Sequence, residues 1–260
     1  MTNNLQATPL SVLLAFTMVA ITLFISYREK LQLEKEIIIS VVRMAIQLAI
    51  VGIVLQWIFD INHFWVTVAM LLVMNINAAW SASKRGQGIP HALKNSLIAV
   101  SLSSVIALGV MVGSGTLEFI PSQMIPVNGM VIGTTMRTIG MVFNQMRQLF
   151  KDRRQQVQEM LALGASPKQA GKEIMRLVLN MSLQPTLDNI KTTGLVTLPG
   201  LMSGLIFAGV APGKAILYQI VVMFMMLSAT AIGAYTVVFL TYPKFFTQRA
   251  QLKTKINDPS

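Results

Sequence analysis

The sequence predicts an all-α, polytopic membrane protein with about seven transmembrane helices in a single domain over residues 1–260. Three observations support this fold class. Hydrophobic residues make up 53% of the chain and charged residues only 12%, against about 25% charged in an ordinary soluble domain. The apolar residues occur in long blocks rather than in alternation. The Lys and Arg residues that give a net charge of +11 lie mostly between those blocks.

Each apolar block is close to the ~20 residues that a helix needs to cross a hydrocarbon core about 30 Å thick. We expect the first block to be a retained helix and not a cleaved signal peptide, because the first eight residues contain no Lys or Arg. A polar tail follows the last block. The predicted spans are residues 9–26, 37–59, 64–82, 93–113, 127–146, 186–210 and 216–240.

The distribution of basic residues predicts the orientation. Loops 27–36, 81–95, 147–176 and 241–260 carry 3, 3, 7 and 4 Lys or Arg, which is 17 of the 21. The opposite loops carry only Lys214, and the remaining three basic residues lie within predicted spans. Because cytoplasmic loops are enriched in Lys and Arg, the amino end is predicted to be outside and the carboxyl tail in the cytoplasm.

Several kinds of chemistry are absent from the sequence. There is no cysteine, which excludes a disulfide framework and a thiolate metal site. There is also no P-loop. The nearest sequence, residues 209–215, has one residue too few between its glycines and ends in Ala215 where a magnesium-binding hydroxyl is needed. We therefore expect no cofactor on this chain, and any ATP and Mg²⁺ belong to a partner subunit.

Polar residues within the predicted spans are candidate functional residues, since an ionised group at the centre of a helix costs at least ~2.5–3.5 kcal/mol unless it is paired or hydrated. Arg137 lies midway along the fifth span, where it either faces a water-filled path or a carboxylate, or snorkels from a shifted helix. Arg43 and Gln47 share a helix face, and the position of Arg43 close to the cytoplasmic end favours snorkelling or a structural hydrogen bond. Asp188 and Lys191, near the cytoplasmic start of the sixth span, favour a local salt bridge over an ATPase contact or a gate.

Outside the spans, Glu118 is the only carboxylate of its outer loop. It either receives or releases a cation there or is an ordinary solvated charge. The 18 methionines favour packing over a soft-metal path, so no metal ligands are identified. Three Gly-x-x-x-Gly spacings are compatible with close helix packing or with chance: Gly109/Gly113, Gly129/Gly133 and Gly200/Gly204.

Residues 158–170 form the most informative segment. They predict a short helix, a break at Gly164, and a second helix with Ser166 as N-cap and Pro167 at its first position. A helix–break–helix in a cytoplasmic loop is a rigid projection that fits a groove in a soluble partner.

This segment resembles the coupling motif of ABC transporter permeases, with Met160 and Leu161 in place of two alanines. The likeness extends over nearly the whole chain, which is similar to the bacterial FetB-type permease family. The pieces that carry it are residues 28–31, 47–48, 77–80, 118–121, 125–126, 163–170 and 194–209.

The resemblance implies the permease subunit of an ABC exporter in the bacterial inner membrane, exporting iron or another metal ion. It implies a non-catalytic homodimer that works with two copies of a separate ATPase subunit and binds no nucleic acid. Plant relatives are linked to aluminium tolerance. We expect coupling to the ATPase through Glu159, Leu163, Gly164, Ala165 and Ser166.

Other functions stay open at the level of the sequence. A secondary transporter or channel would show inverted repeats or several acidic groups within spans, and only Asp188 comes near this description. A membrane scaffold without transport leaves Arg137 unexplained. An ABC permease for a lipid or a small organic molecule is compatible with the same residues.

Overall fold

A computed structural model describes residues 9–61, 63–247 and 249–253. These residues contain seven α-helices of at least 20 residues and two shorter ones, with no β-strand among them, which confirms the all-α prediction. Short 3-10 helices cover Lys84–Gly86 and Tyr242–Phe245. The α-helices are α1 Pro9–Arg28, α2 Glu34–Ile61, α3 Phe64–Ser83, α4 Ala92–Gly113, α5 Pro121–Asp152, α6 Arg154–Ala162, α7 Pro167–Thr192, α8 Gly200–Phe207 and α9 Pro212–Thr241.

Four of these helices are long and apolar enough to cross a membrane, namely α2, α3, α4 and α9. A shorter apolar stretch, Leu14–Arg28, lies in α1. α5 and α7 are also long enough, with 32 and 26 residues, but their polar side chains keep them below the hydropathy of a lipid-facing helix. In a membrane protein, polar helices of this kind are covered by protein or line a water-filled space.

The chain divides into two compact units, and the first consists of α1 and α2. The turn between these helices is closed by Ser26. Its hydroxyl donates to Glu34 Oε1 at 2.8 Å and accepts from the Leu33 N–H at 3.4 Å. Because the first acidic residue of α2 is held in this way, the turn and the start of α2 are fixed together.

The second unit is a bundle built around α5 and α9. α9 packs against α4, α5 and α7, and α5 packs against α3, α4 and α7. The bundle is closed by interhelical hydrogen bonds as well as apolar contacts. Ser104 Oγ donates to Asn128 Oδ1 at 2.6 Å between α4 and α5, and Asn95 Nδ2 donates to Thr241 Oγ1 at 3.2 Å between α4 and α9. The largest fully buried side chains of this unit include Met124, Ile139, Phe143, Met146, Phe150 and Ile174.

The closest helix contacts occur at glycines outside the three Gly-x-x-x-Gly spacings. A Cβ on Gly233 of α9 would overlap Thr135 Cγ2 of α5. Among the six glycines of those spacings, only Gly129 has a neighbour within 4 Å of a built Cβ, the Met74 Cε atom at 3.4 Å. The spacings therefore do not mark the helix contacts within this chain.

The structure corrects two predicted spans. The fifth span, residues 127–146, is part of the longer helix α5. The sixth span, residues 186–210, is wrong, because α7 ends at Thr192 and α8 starts only at Gly200. Between them Gly194 has a φ of +87°, a left-handed conformation that turns the chain and that glycine adopts readily. Helix α7 begins at Pro167 instead, so the polar segment 147–176 is largely helical.

Candidate functional site

Helix α6, the turn after it and the first residue of α7 form a compact projection, residues 154–167, that we call the knob. Helix α6 ends in a Schellman motif. The N–H of Ala165 bonds to the Met160 carbonyl oxygen and the N–H of Gly164 to the Leu161 carbonyl oxygen, both at 3.0 Å. Gly164 has a φ of +89°, which this motif requires and glycine adopts without a Cβ clash. The predicted break at Gly164 is confirmed.

The second helix of the knob starts with a complete capping box. Ser166 Oγ accepts from the Gln169 N–H at 3.4 Å, and Gln169 Oε1 accepts from the Ser166 N–H at 2.8 Å. Pro167 occupies the first position of α7, where its missing N–H has no cost. These local signals fix the direction in which α7 leaves the knob.

The base of the knob is anchored in the bundle by apolar contacts. Val157 of α6 is buried, and Phe150 at the end of α5 stacks on Phe245 with ring centroids 4.4 Å apart. Phe246 meets the Phe150 ring edge to face, and Gly171 of α7 lies beneath the same ring. The carboxyl-terminal aromatics therefore link α5 to the start of α7.

An ion pair also joins the junction of α5 and α6 to α7. Arg153 Nη1 lies 2.8 Å from Glu173 Oε1, and Gln156 Nε2 donates to the other oxygen of Glu173 at 3.3 Å. Neither Arg153 nor Glu173 belongs to a recognisable motif, so this ion pair could not be predicted from the sequence. These contacts connect the start of α6 to α7.

The tip of the knob is exposed. Leu163 is 88% exposed, although an apolar side chain gains by burial. Glu159 is also exposed and accepts from Gln155 Nε2 at 2.9 Å, which holds its carboxylate along α6. The predicted coupling residues Glu159, Leu163, Gly164, Ala165 and Ser166 therefore lie together on one projection.

A groove of about 470 Å³ runs beside the knob. Its second wall is a short hairpin after α9, in which Thr247 N–H bonds to the Gln251 carbonyl oxygen at 2.8 Å and Lys253 N–H to the Phe245 carbonyl oxygen at 3.0 Å. The predicted polar tail, residues 242–260, is thus described at residues 242–247 and 249–253, and residues 248 and 254–260 lie outside the described part. Lining residues include Arg154, Gln158, Leu161, Arg249 and Leu252.

One side of α5 has exposed or half-exposed residues along much of the helix. Arg137 is exposed and stands 16 positions from the first residue of α5 and 15 from the last. Pro126, Gly133 and Asn144 lie on the same side of the helix at near-heptad spacing. At Gly133 a built Cβ would meet open space.

The position predicted for Asp188 and Lys191 is wrong. They lie near the last turn of α7, at the end of the helix opposite the knob. The prediction failed because α7 starts 19 residues before the predicted span, at a capping signal that hydropathy does not register. Lys191 Nζ lies 3.4 Å from Asp188 Oδ1, and Gln184 Nε2 donates to the same oxygen at 2.9 Å.

The remaining candidates stand apart from these groups. Arg43 and Gln47 are exposed on α2, four positions apart on one face. Glu118 is exposed in the connection between α4 and α5, and its N–H donates to Gln123 Oε1 at 2.9 Å. Among the described residues, no group of three or more His, Asp or Glu side chains could hold a metal ion.

The contact of Arg85 with α5 could also not be predicted from the sequence. A Cβ built on Gly140 of α5 would lie 2.5 Å from Cδ and 3.0 Å from Nη1 of Arg85. The Arg85 side chain therefore lies across α5 in the space that Gly140 leaves, one helical turn from Arg137.

The relatives of this chain agree with its membrane setting. A family model described as Uncharacterised protein family (UPF0014) matches residues 9–246. The chain belongs to the UPF0014 family. This UPF0014 protein is 46% identical over 250 residues to the probable iron export permease protein FetB of Escherichia coli (strain K12), covering 96% of both chains. The expected resemblance to FetB-type permeases is confirmed.

Two plant proteins are also similar to this UPF0014 protein. Protein ALUMINUM SENSITIVE 3 of Arabidopsis thaliana is 37% identical over 243 residues, which cover 93% of this chain and 89% of that protein. UPF0014 membrane protein STAR2 of Oryza sativa subsp. japonica is 33% identical over 243 residues, covering 93% and 85%. No solved structure matches the chain. It is thus a membrane protein of a permease family.

Proposed function

We propose that this protein is the permease subunit of an ABC exporter that moves iron or another metal out of the bacterial cytoplasm across the inner membrane. The observation that carries the proposal is the knob, a rigid projection with an exposed apolar tip on a membrane bundle. A relative 46% identical to the chain is named a probable iron export permease, and that name supports the metal cargo.

The knob has the properties of a docking element for a soluble subunit. Its backbone is fixed by the Schellman motif and the capping box, so little conformational entropy is lost on binding. Leu163 offers an apolar anchor for a pocket. Because Glu173 connects α6 to α7 and Phe150 connects α5 to α7, a push on the tip reorients the long polar helices of the bundle.

The partner in this proposal is a separate ATPase that binds ATP and Mg²⁺, while this chain binds no cofactor and catalyses no reaction. The basic loops place the knob and the hairpin after α9 in the cytoplasm and the amino end outside. The segment 147–176 contains seven basic and three acidic residues, so an ATPase surface with acidic groups around an apolar pocket fits it.

The functional unit is a homodimer with two ATPase chains. α5 exposes Arg137 and Asn144, and α7 exposes Asn180 and Gln184. Polar side chains at membrane depth do not face lipid without cost. A second copy that covers these faces gives them protein or water as surroundings and forms the transport path between the two chains.

The test is co-purification of the ATPase with tagged permease from membranes, comparing wild type with Gly164→Arg and Leu163→Asn. Leu195→Asn is the matched control. Leu195 is 90% exposed and Leu163 is 88% exposed, but Leu195 follows α7 at the end opposite the knob. We expect both knob variants to lose ATPase by about ten-fold or more, as for a truncated hot-spot residue.

Normal insertion and a normal size-exclusion profile of each variant show that the loss is specific to docking. If wild type recovers no ATPase under gentle extraction, the proposal fails and an ATP-independent transporter or channel takes its place. If Leu195→Asn loses as much ATPase as Leu163→Asn, the knob is not the docking element.

A further inference from the structure

The part of α5 that lies nearest the knob has a concentration of arginines. Arg85 lies across Gly140, and Arg137 is one turn away on the same face. Arg147 adds a third guanidinium two turns further along, where its Nη1 donates to the Gln87 carbonyl oxygen at 3.2 Å. Three positive charges are therefore gathered at the junction of α3 and α5.

Two of these arginines have no counter-charge among the described residues. No hydrogen bond or ion pair joins the Arg85 or Arg137 guanidinium to any other described residue. The nearest carboxylate along α5 is Asp152, at its last position, and Glu173 is already bound to Arg153. Helix α1 contains no acidic residue, and those of α2 lie near its two ends, so none of them is at mid-helix.

The depth of Arg137 makes its charge costly without a ligand. Gly86, just after α3, packs on Phe143, with a built Cβ 3.0 Å from the ring. The end of α3 is therefore level with Phe143. Arg137 precedes Phe143 by six residues in α5, which places it about 9 Å deeper into the bundle. At that depth an arginine that faces lipid is unfavourable by several kcal/mol.

Neighbouring arginines without carboxylate partners suit an anion. A guanidinium presents planar paired donors that match carboxylate and phosphate oxygens. The same charges repel a bare Fe²⁺ or Fe³⁺ ion, and no cluster of acidic or histidine ligands exists among the described residues to offset that repulsion. The local chemistry fits a metal surrounded by anionic oxygens better than a free metal cation.

We propose that Arg85 and Arg137 form an anion-binding site at the cytoplasmic mouth of the transport path, and that the exporter takes its metal as an anionic carboxylate or phosphate complex. This inference rests on the proposed export function and specifies its cargo. Gly140 is a positioning residue in this site, since its missing Cβ gives Arg85 room to lie beside Arg137. An anionic lipid headgroup carries the same oxygens and is the competing source of the ligand.

The experiment uses inside-out vesicles that contain the permease and its ATPase. Ferric citrate labelled with ⁵⁵Fe and ¹⁴C is one substrate, and Fe²⁺ kept reduced without a chelator is the other. Wild type is compared with Arg137→Gln, Arg85→Gln, Arg137→Lys and Gly140→Ala. Lys214→Gln, which removes an exposed positive charge at the start of α9, is the control, and every variant is measured in neutral and in anionic lipid.

We expect ATP-dependent uptake of both labels together in wild type and in Lys214→Gln. Each Gln variant should lose about ten-fold or more, the effect of one charge-assisted contact. Arg137→Lys should retain part of the uptake, because it keeps the charge but not the paired donors. Gly140→Ala should reduce uptake although it removes no charge.

Other outcomes separate this inference from the proposed function. In one outcome, Fe²⁺ is taken up without citrate, and Arg137→Gln leaves this uptake unchanged or increases it. That result overturns the anionic cargo but keeps iron export. An Arg effect seen only in anionic lipid assigns the site to a headgroup and also overturns the inference. If wild type accumulates neither substrate, metal export and the anionic metal cargo fall together.

Discussion

The contact between Gly233 and Thr135 gives a prediction whose sign depends on the packing of α5 against α9. In a helix interior, Gly→Ala is favourable by about 1 kcal/mol. At Gly233 the added Cβ overlaps Thr135 Cγ2, and overpacking of this kind costs about 1–3 kcal/mol. Gly233→Ala should therefore reduce stability by up to ~2 kcal/mol.

Gly109→Ala is the matched control for this prediction. Gly109 is also within a helix, α4, but a built Cβ there has nothing within 4 Å. The full propensity gain should remain, and the variant should be more stable by up to ~1 kcal/mol. The two substitutions add the same methyl group and differ only in the space around it.

The assay is thermal unfolding of the purified permease in detergent, where 1 kcal/mol corresponds to about 2–4 °C in a chain of this size. A double-mutant cycle with Thr135→Ser isolates the contact, because serine lacks Cγ2. The cost of Gly233→Ala should largely disappear in the Thr135→Ser background. Equal gains in stability for Gly233→Ala and Gly109→Ala would refute the close α5–α9 approach.

Three further predictions concern the knob and its base. Gly164→Ala should destabilise the α6–α7 turn by about 1–2 kcal/mol, because φ is +89° there. Gly164→Asn should destabilise it less, and thermal unfolding of both variants checks this. Glu173→Gln should change stability by no more than ~1 kcal/mol, since its ion pair with Arg153 is partly exposed, yet weaken the coupling of ATP hydrolysis to transport in vesicles. Phe150→Ala should lose about 3–5 kcal/mol of stability, because its ring is buried and stacked on Phe245; a variant that melts like wild type would contradict this packing.

Local signals in the sequence were sufficient to predict the two helices of the knob and the break between them. Gly164 needs only its own backbone conformation to end α6, and Ser166, Pro167 and Gln169 act within four consecutive residues to start α7. The positions of α1 to α4 and α9 could also be predicted from their apolar blocks. A helix that crosses the membrane is apolar over about 20 residues, so its composition alone locates it in the sequence.

The end of α7 opposite the knob and the arginine cluster could not be predicted in the same way. The polar residues of α7 lower its hydropathy, so the apolar residues 193–206 shifted the predicted span beyond the real helix. The place of Arg85 depends on which face of α5 turns toward α3, and that is a property of the packed bundle. The same reason explains why Gly140 and Gly233, and not the Gly-x-x-x-Gly spacings, are the glycines at close contacts.

The central claim is that the knob is the surface that a soluble ATPase binds, and site-directed cross-linking tests it most directly. The chain has no cysteine, so Leu163→Cys and Leu195→Cys each introduce the only thiol of the permease. A thiol-to-amine cross-linker is applied to membranes that contain the ATPase. We predict a permease–ATPase adduct from Leu163→Cys and none from Leu195→Cys. An adduct from Leu195→Cys alone, or none from either in membranes that transport metal, would contradict the claim.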